Sequence, residues 1–117
     1  MYDKNNIFAK IIRKELPAKI IEETNDFLCF EDIAKASPIH WLVVPKTKDR
    51  NFSEFVSNNH PETISNFYKF IQNLVKKYNL EEQGYRLITN CGESVGQTVF
   101  HFHVHVMSGK KLSSKLA

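Results

Sequence analysis

Between Thr98 and Ser108 the chain reads TVFHFHVHVMS, three histidines at alternate positions with an apolar residue in each gap. A β-strand repeats its side chains every two residues. A strand here therefore sets His101, His103 and His105 on one face, spaced about 6.6–7 Å apart, and Phe102, Val104 and Val106 on the other. A helix would scatter both sets around its circumference. The stretch predicts a strand whose apolar underside packs beneath a helix and whose histidine face is polar and fit for chemistry.

The rest of the chain supplies partners for that strand. NNIFAKIIRKEL sets Ile7, Phe8, Ile11 and Ile12 at helical spacing, and Pro17 closes it. AKIIEET and DFLCFED read as two strands joined by a tight turn at Thr24-Asn25-Asp26. In the second, Phe27, Cys29 and Glu31 alternate with Leu28, Phe30 and Asp32. HWLVVPK is a third strand stopped by Pro45, with His40, Leu42 and Val44 on one face. NFSEFVSNN reads as a short helix or turn. From Pro61 to Tyr78, Ile64, Phe67, Ile71, Leu74 and Tyr78 recur at steps of three and four, with Pro61 and Glu62 marking a helix start. YRLITN is a fourth strand, and the loop CGESVGQ leads to the fifth at residues 98–108. With hairpins and no βαβ alternation, the class is α+β: one domain over residues 1–117, built on an antiparallel sheet. The tail from about 109 to 117 carries no pattern.

Composition narrows the partners. The net charge is +3. Part of it comes from Lys110, Lys111 and Lys115, which read as a solvated tail. No basic run carries interleaved aromatics, so no nucleic-acid partner is expected. No apolar stretch is long enough to cross a bilayer and the N-terminus has no apolar core, so a cytoplasmic protein without a membrane partner is expected. Cys29 and Cys91 stand far apart and read as reduced thiols. His60, at a helix start, reads as exposed.

Two chemistries suit three alternating histidines. One is a metal site, since H-x-H with a further histidine is a zinc-like set. Convergence of three side chains from one flat strand on a single ion is awkward, however, and a fourth ligand is not apparent. The other is a nucleophilic imidazole, largely neutral at pH 7, which forms a covalent phosphoryl-type intermediate. The neighbouring histidines would then serve the phosphate, and the loop with Gly92 and Gly96 could aim backbone N–H groups at it.

The sequence resembles the histidine triad superfamily, His-φ-His-φ-His-φ-φ with φ apolar. IFAKIIRKELPAKIIEE, CFEDI, PIHWLVVPK, YRLITNCGESVGQTV and HFHVHVM together are similar to its Hint branch, the purine nucleoside phosphoramidases, over residues 7 to 109. The resemblance implies a five-stranded antiparallel sheet with two helices, and a homodimer with a continuous ten-stranded sheet. It implies cleavage of the P–N bond in AMP or GMP conjugates, without metal or other cofactor. His103 would be the nucleophile, the carbonyl of His101 would hold its other ring nitrogen, His105 would contact the phosphate, and His40 would support them. Asp32 would accept from the ribose hydroxyls. Asn90, Gly96 and Gln97 would meet ribose and phosphate, and Phe8, Leu16 and Ile33 would wall the base. Thr98 stands where the branch commonly has serine and would steer the leaving amine. The C-terminus, SGKKLSSKLA, lacks the Gly-Gly and tryptophan-containing tail of the branch, which leaves leaving-group preference open. The cysteines of the zinc site found in some relatives are missing. Two alternatives share the motif: a dinucleoside-polyphosphate hydrolase of the fragile-histidine-triad type, and a non-catalytic nucleotide-binding protein.

Overall fold

The computed structural model describes residues 1–109 and Leu112; the remainder of the predicted tail lies outside the described residues. In chain order it runs α1 (Ile7–Ile12), β1 (Ile20–Glu23), β2 (Phe27–Glu31), β3 (Ile39–Pro45), α2 (Phe52–Asn58), α3 (Pro61–Lys77), α4 (Leu80–Gln83), β4 (Tyr85–Ile88) and β5 (Val104–Ser108), with a 3-10 turn at Glu93–Val95. The strands form one antiparallel sheet in the order β1-β2-β3-β5-β4. The α+β class and the five-stranded sheet agree with the sequence reading. The helix count does not: four α-helices are present among the described residues, where two were expected. NFSEFVSNN resolves as helix α2, capped by the Asn51 side chain accepting from Glu54 N at 3.0 Å. Helix α4 is a single turn entered through Asn79 in the left-handed region (φ 58°), too short to leave a periodic pattern.

The larger core lies between the sheet and α3. Phe67, Ile71, Leu74 and Val75 pack on Phe27, Cys29, Val43 and Val106, with Phe55 of α2 and Phe102 completing an aromatic cluster. Each such side chain contributes roughly 1.5–3 kcal/mol by leaving water. Cys29 is part of this packing, and burial pushes its thiol up, out of reach of ionisation.

The opposite face is not simply polar. Leu28, Phe30, Leu42 and Val44 form a second cluster there, covered by Phe8 and Ile11 of α1. The histidine face is thus half core and half site, which corrects the expectation of a polar working face. Helix α1 sits at that division because Phe8 and Ile11 pack on this cluster, and Asn6 caps its start, its side chain accepting from Ala9 N at 2.9 Å. No helix among the described residues is long and apolar enough to cross a membrane.

The fifth strand begins at Val104, six residues later than residue 98. Pairing with β3 runs from Ile39↔Ser108 to Val43↔Val104. Continued in register, it would set Phe102 opposite Pro45, which has no N–H to give. Phe102 N donates to Asp49 O (2.8 Å) instead. His101 and His103 therefore stand outside the ladder, and only His105 of the three lies on the strand.

Candidate active site

His103 is 6% exposed, one residue before β5. Its Nδ1 lies 2.7 Å from the carbonyl oxygen of His101. A carbonyl only accepts, so Nδ1 carries the proton and Nε2 keeps a bare lone pair. Phe8 packs edge-on against the ring with centroids 4.9 Å apart, and the His105 ring stands 5.1 Å away. Thr89, just beyond β4, donates its hydroxyl to the carbonyl oxygen of His103 at 2.8 Å. Burial lowers the His103 pKa, opposed by its bond to the His101 carbonyl and by the charge of Asp32. The ring is neutral at pH 7.

His105 and His40 form a second unit. Ala36 N donates to His40 Nδ1 at 3.0 Å, so the proton of the neutral His40 ring sits on Nε2. That nitrogen lies 2.9 Å from His105 Nδ1 and 3.3 Å from Asp32 Oδ2. Donation to His105 Nδ1 leaves the His105 proton on Nε2, a ready donor. Burial, then the neighbouring His103 and His40, push His105 down to about 4; burial also lowers His40, with Asp32 opposing. Asp32 stands one residue past β2, with Oδ1 accepting from Ala34 N at 2.9 Å.

One ligand atom each from Asp32, His40 and His105 lies within 4.8 Å of the others. Two nitrogens and an oxygen suit zinc in kind. The His40–His105 contact of 2.9 Å is nonetheless a direct hydrogen bond. Two imidazoles on a tetrahedral zinc, each at about 2.05 Å, would stand roughly 3.3 Å apart. As arranged, the trio is a proton-sharing unit, and both rings would have to part to admit an ion. Among the described residues, Cys29 in the core and the exposed Cys91 belong to no such group.

The remaining expected residues divide. Phe8, Asp32 and Ile33 line one cavity of about 100 Å³ beside α1. Ile33 is 97% exposed at its lip. Pro17 and Ala18 line it too, whereas Leu16, 38% exposed, does not. Asn90 shares a cavity of about 180 Å³ with His40 and His105. Thr98 is exposed at the end of the glycine loop.

That loop is built differently from the sequence reading. Gly96 adopts φ 95°, a left-handed conformation open to glycine at little cost, and closes the 3-10 turn. The N–H groups of Val95, Gly96 and Gln97 bond to carbonyls of Gly92 and Glu93, and Gly92 N donates to Gln97 Oε1. Those four donors are spent inside the loop rather than aimed outward. Gln97 is buried, its Nε2 donating to Arg50 O and Val99 O. Its side chain holds the loop against the segment before α2.

Sequence reasoning missed what holds His101. The ring is 1% exposed. Its Nε2 donates to Pro45 O at 2.7 Å, and Tyr2 Oη lies 2.6 Å from its Nδ1. Burial pushes its pKa down to about 4. Nothing in the sequence links Tyr2 to a residue 99 positions away.

The HIT domain family matches residues 13–112. An uncharacterized HIT-like protein of Rickettsia prowazekii is 47% identical over 112 residues, covering 96% of this chain and 93% of that protein. A HIT family hydrolase from Clostridium thermocellum superposes with a TM-score of 0.84 at 35% identity, over 98% of this chain and 99% of the other. A histidine triad nucleotide-binding protein from Candida albicans superposes at 0.79 and 25% identity, over 97% and 85%.

Proposed function

This chain belongs to the HIT domain family, and on that premise we propose that it hydrolyses purine nucleoside 5′-phosphoramidates, with His103 as nucleophile. The observation that carries this reading is the bare, neutral Nε2 of His103, oriented by the carbonyl of His101. In the first step Nε2 bonds to the α-phosphorus and the P–N bond to the amine breaks. The leaving nitrogen takes a proton through the Thr98 hydroxyl, while His105 Nε2–H holds the phosphate oxygens. In the second step water attacks phosphorus and gives up a proton that restores the donor used in the first step, the His103–P bond breaks, and nucleoside 5′-monophosphate leaves. The Nε2–H of His105 meets the phosphate charge, and no metal or other cofactor takes part.

Asp32 has acceptor capacity left for a ribose diol beyond its bonds to Ala34 and His40. Phe8 and Ile33 wall the base, with Leu16 at the outer edge. Asn90 meets the ribose, and Gly96 and Gln97 shape the phosphate loop. We place the protein in the cytoplasm.

The same reading includes a homodimer joined through β4 into a ten-stranded sheet. The β1 edge is guarded by charge: Glu22 pairs with Lys77, and Glu23 with Lys14 and Lys46. The β4 edge instead shows Tyr85 and Leu87, 41% and 42% exposed, beside Tyr68 of α3 along a groove of about 380 Å³. Leu87→Asp is expected to convert a dimer to a monomer in light scattering at micromolar concentration. A wild type that is already monomeric would remove the dimer from this account.

The test of the activity compares an adenosine 5′-phosphoramidate with a diadenosine polyphosphate, both in EDTA. Faster turnover of the amide is expected. Faster turnover of the dinucleotide would favour the fragile-histidine-triad reading, and AMP binding with no turnover of either would favour a binding protein.

A further inference from the structure

Residues 101–103 carry the reacting geometry yet lie outside the β-ladder, so something other than strand pairing must hold them. Three anchors are evident, one of them the Thr89 hydroxyl on the carbonyl oxygen of His103. Phe102 N donates to Asp49 O, and the His101 ring is gripped from both sides, by Pro45 O on Nε2 and by Tyr2 Oη on Nδ1. Because Nε2 already carries the proton that Pro45 O accepts, Nδ1 of the neutral ring is an acceptor, and Tyr2 is its donor. The Tyr2 ring also meets the His101 ring edge-on at 5.6 Å. Asn6 caps α1, and Asn6 N and Nδ2 both donate to Asp3 O, which fixes the short segment bearing Tyr2.

We propose that Tyr2 is a positioning residue for the reacting histidine: its hydroxyl pins the His101 ring against Pro45 O and so fixes the carbonyl that orients His103. The chain of contacts runs from Tyr2 Oη to His101 Nδ1 at 2.6 Å, and from His101 O to His103 Nδ1 at 2.7 Å. Tyr2 lies before residue 13, where the family match begins, so the domain's shared pattern does not contain it. The N-terminal segment thereby enters the active site as a support from behind, without touching substrate.

This inference rests on His103 being the nucleophile, and its test separates the two claims. Tyr2→Phe keeps the ring against His101 and removes only the hydroxyl. In the substrate-free protein with labelled histidine, the His103 Nδ1–H resonance is expected to exchange with solvent about tenfold faster than in wild type. With an adenosine phosphoramidate, kcat is expected to fall about tenfold while KM stays within about twofold. Unchanged exchange and unchanged kcat, with only a lower melting temperature, would overturn the proposal and leave Tyr2 a merely structural residue. Faster exchange in a protein whose wild type turns over no phosphoramidate would uphold the positioning role while rejecting the proposed activity.

Discussion

Replacing His103 by alanine is expected to lower phosphoramidate turnover by about a thousandfold or more while leaving AMP binding within a few-fold of wild type. The ring is nearly buried, and its loss takes the Nδ1–H donor from His101 O, but the neighbouring side chains keep their other partners. Phe8 keeps Phe30 at 5.5 Å, His101 keeps Pro45 and Tyr2, and His105 keeps His40. What is lost is Nε2, for which no other group substitutes: His105 Nδ1 faces His40, and His101 uses both of its nitrogens inside the fold. Asp32 and the apolar wall at Phe8 and Ile33 remain to hold a nucleotide. Loss of nucleotide binding together with turnover would recast His103 as a binding or folding residue. Single-turnover kinetics and calorimetric titration with AMP together make the distinction.

The second large effect is on stability. His101 and His105 are both pushed down to about 4 in the folded protein, and His40 and His103 are lowered as well, burial being the first cause in all four. The unfolded chain takes up protons on these rings near pH 6.5, where the folded chain does not. Between about pH 6.5 and pH 4 the unfolded state therefore binds more protons, and stability rises with pH. It is complete above pH 6.5 and is lost progressively on acidification. For His101 the full window is worth about 3 kcal/mol, at roughly 1.4 kcal/mol per pH unit. His105 adds less, because its ring is only half-buried at the mouth of the site. Urea midpoints measured at pH 7.5 and pH 5 should differ by the equivalent of about 2 kcal/mol or more. That interval lies above the ordinary range of the carboxylates, so the histidines dominate it. A midpoint that does not move would mean the rings take up protons without unfolding, in a site wetter than the structure shows.

The sequence made the strand faces legible because alternation survives as long as a strand is paired on both sides. Phe27 and Cys29 against Leu28 and Phe30 separate cleanly into the two cores. Helix α3 was legible for the same reason at its own period, its apolar positions being those that reach the sheet. The end of β5 was not, because alternation at residues 98–103 persists without pairing. What ends the ladder is a proline on a different strand. The family resemblance supplied the roles of His103, His101, His40 and Asp32, and the structure brings these residues within reach of one another. It could not reveal that Gln97 is spent on backbone groups of Gly92, Arg50 and Val99, since a buried amide and a ligand-binding one look alike in sequence. Tyr2 was illegible altogether: its partner is nearly the whole chain away.

The central claim is a covalent bond between His103 Nε2 and the α-phosphorus, and the stereochemistry at that phosphorus reports on it most directly. An adenosine 5′-phosphorothioamidate of one configuration, hydrolysed in isotopically labelled water, yields a chiral thiophosphate. Two successive in-line displacements, first by His103 and then by water, invert the centre twice, so the account predicts overall retention. Inversion would mean that water attacks the substrate directly, and would contradict nucleophilic catalysis by His103.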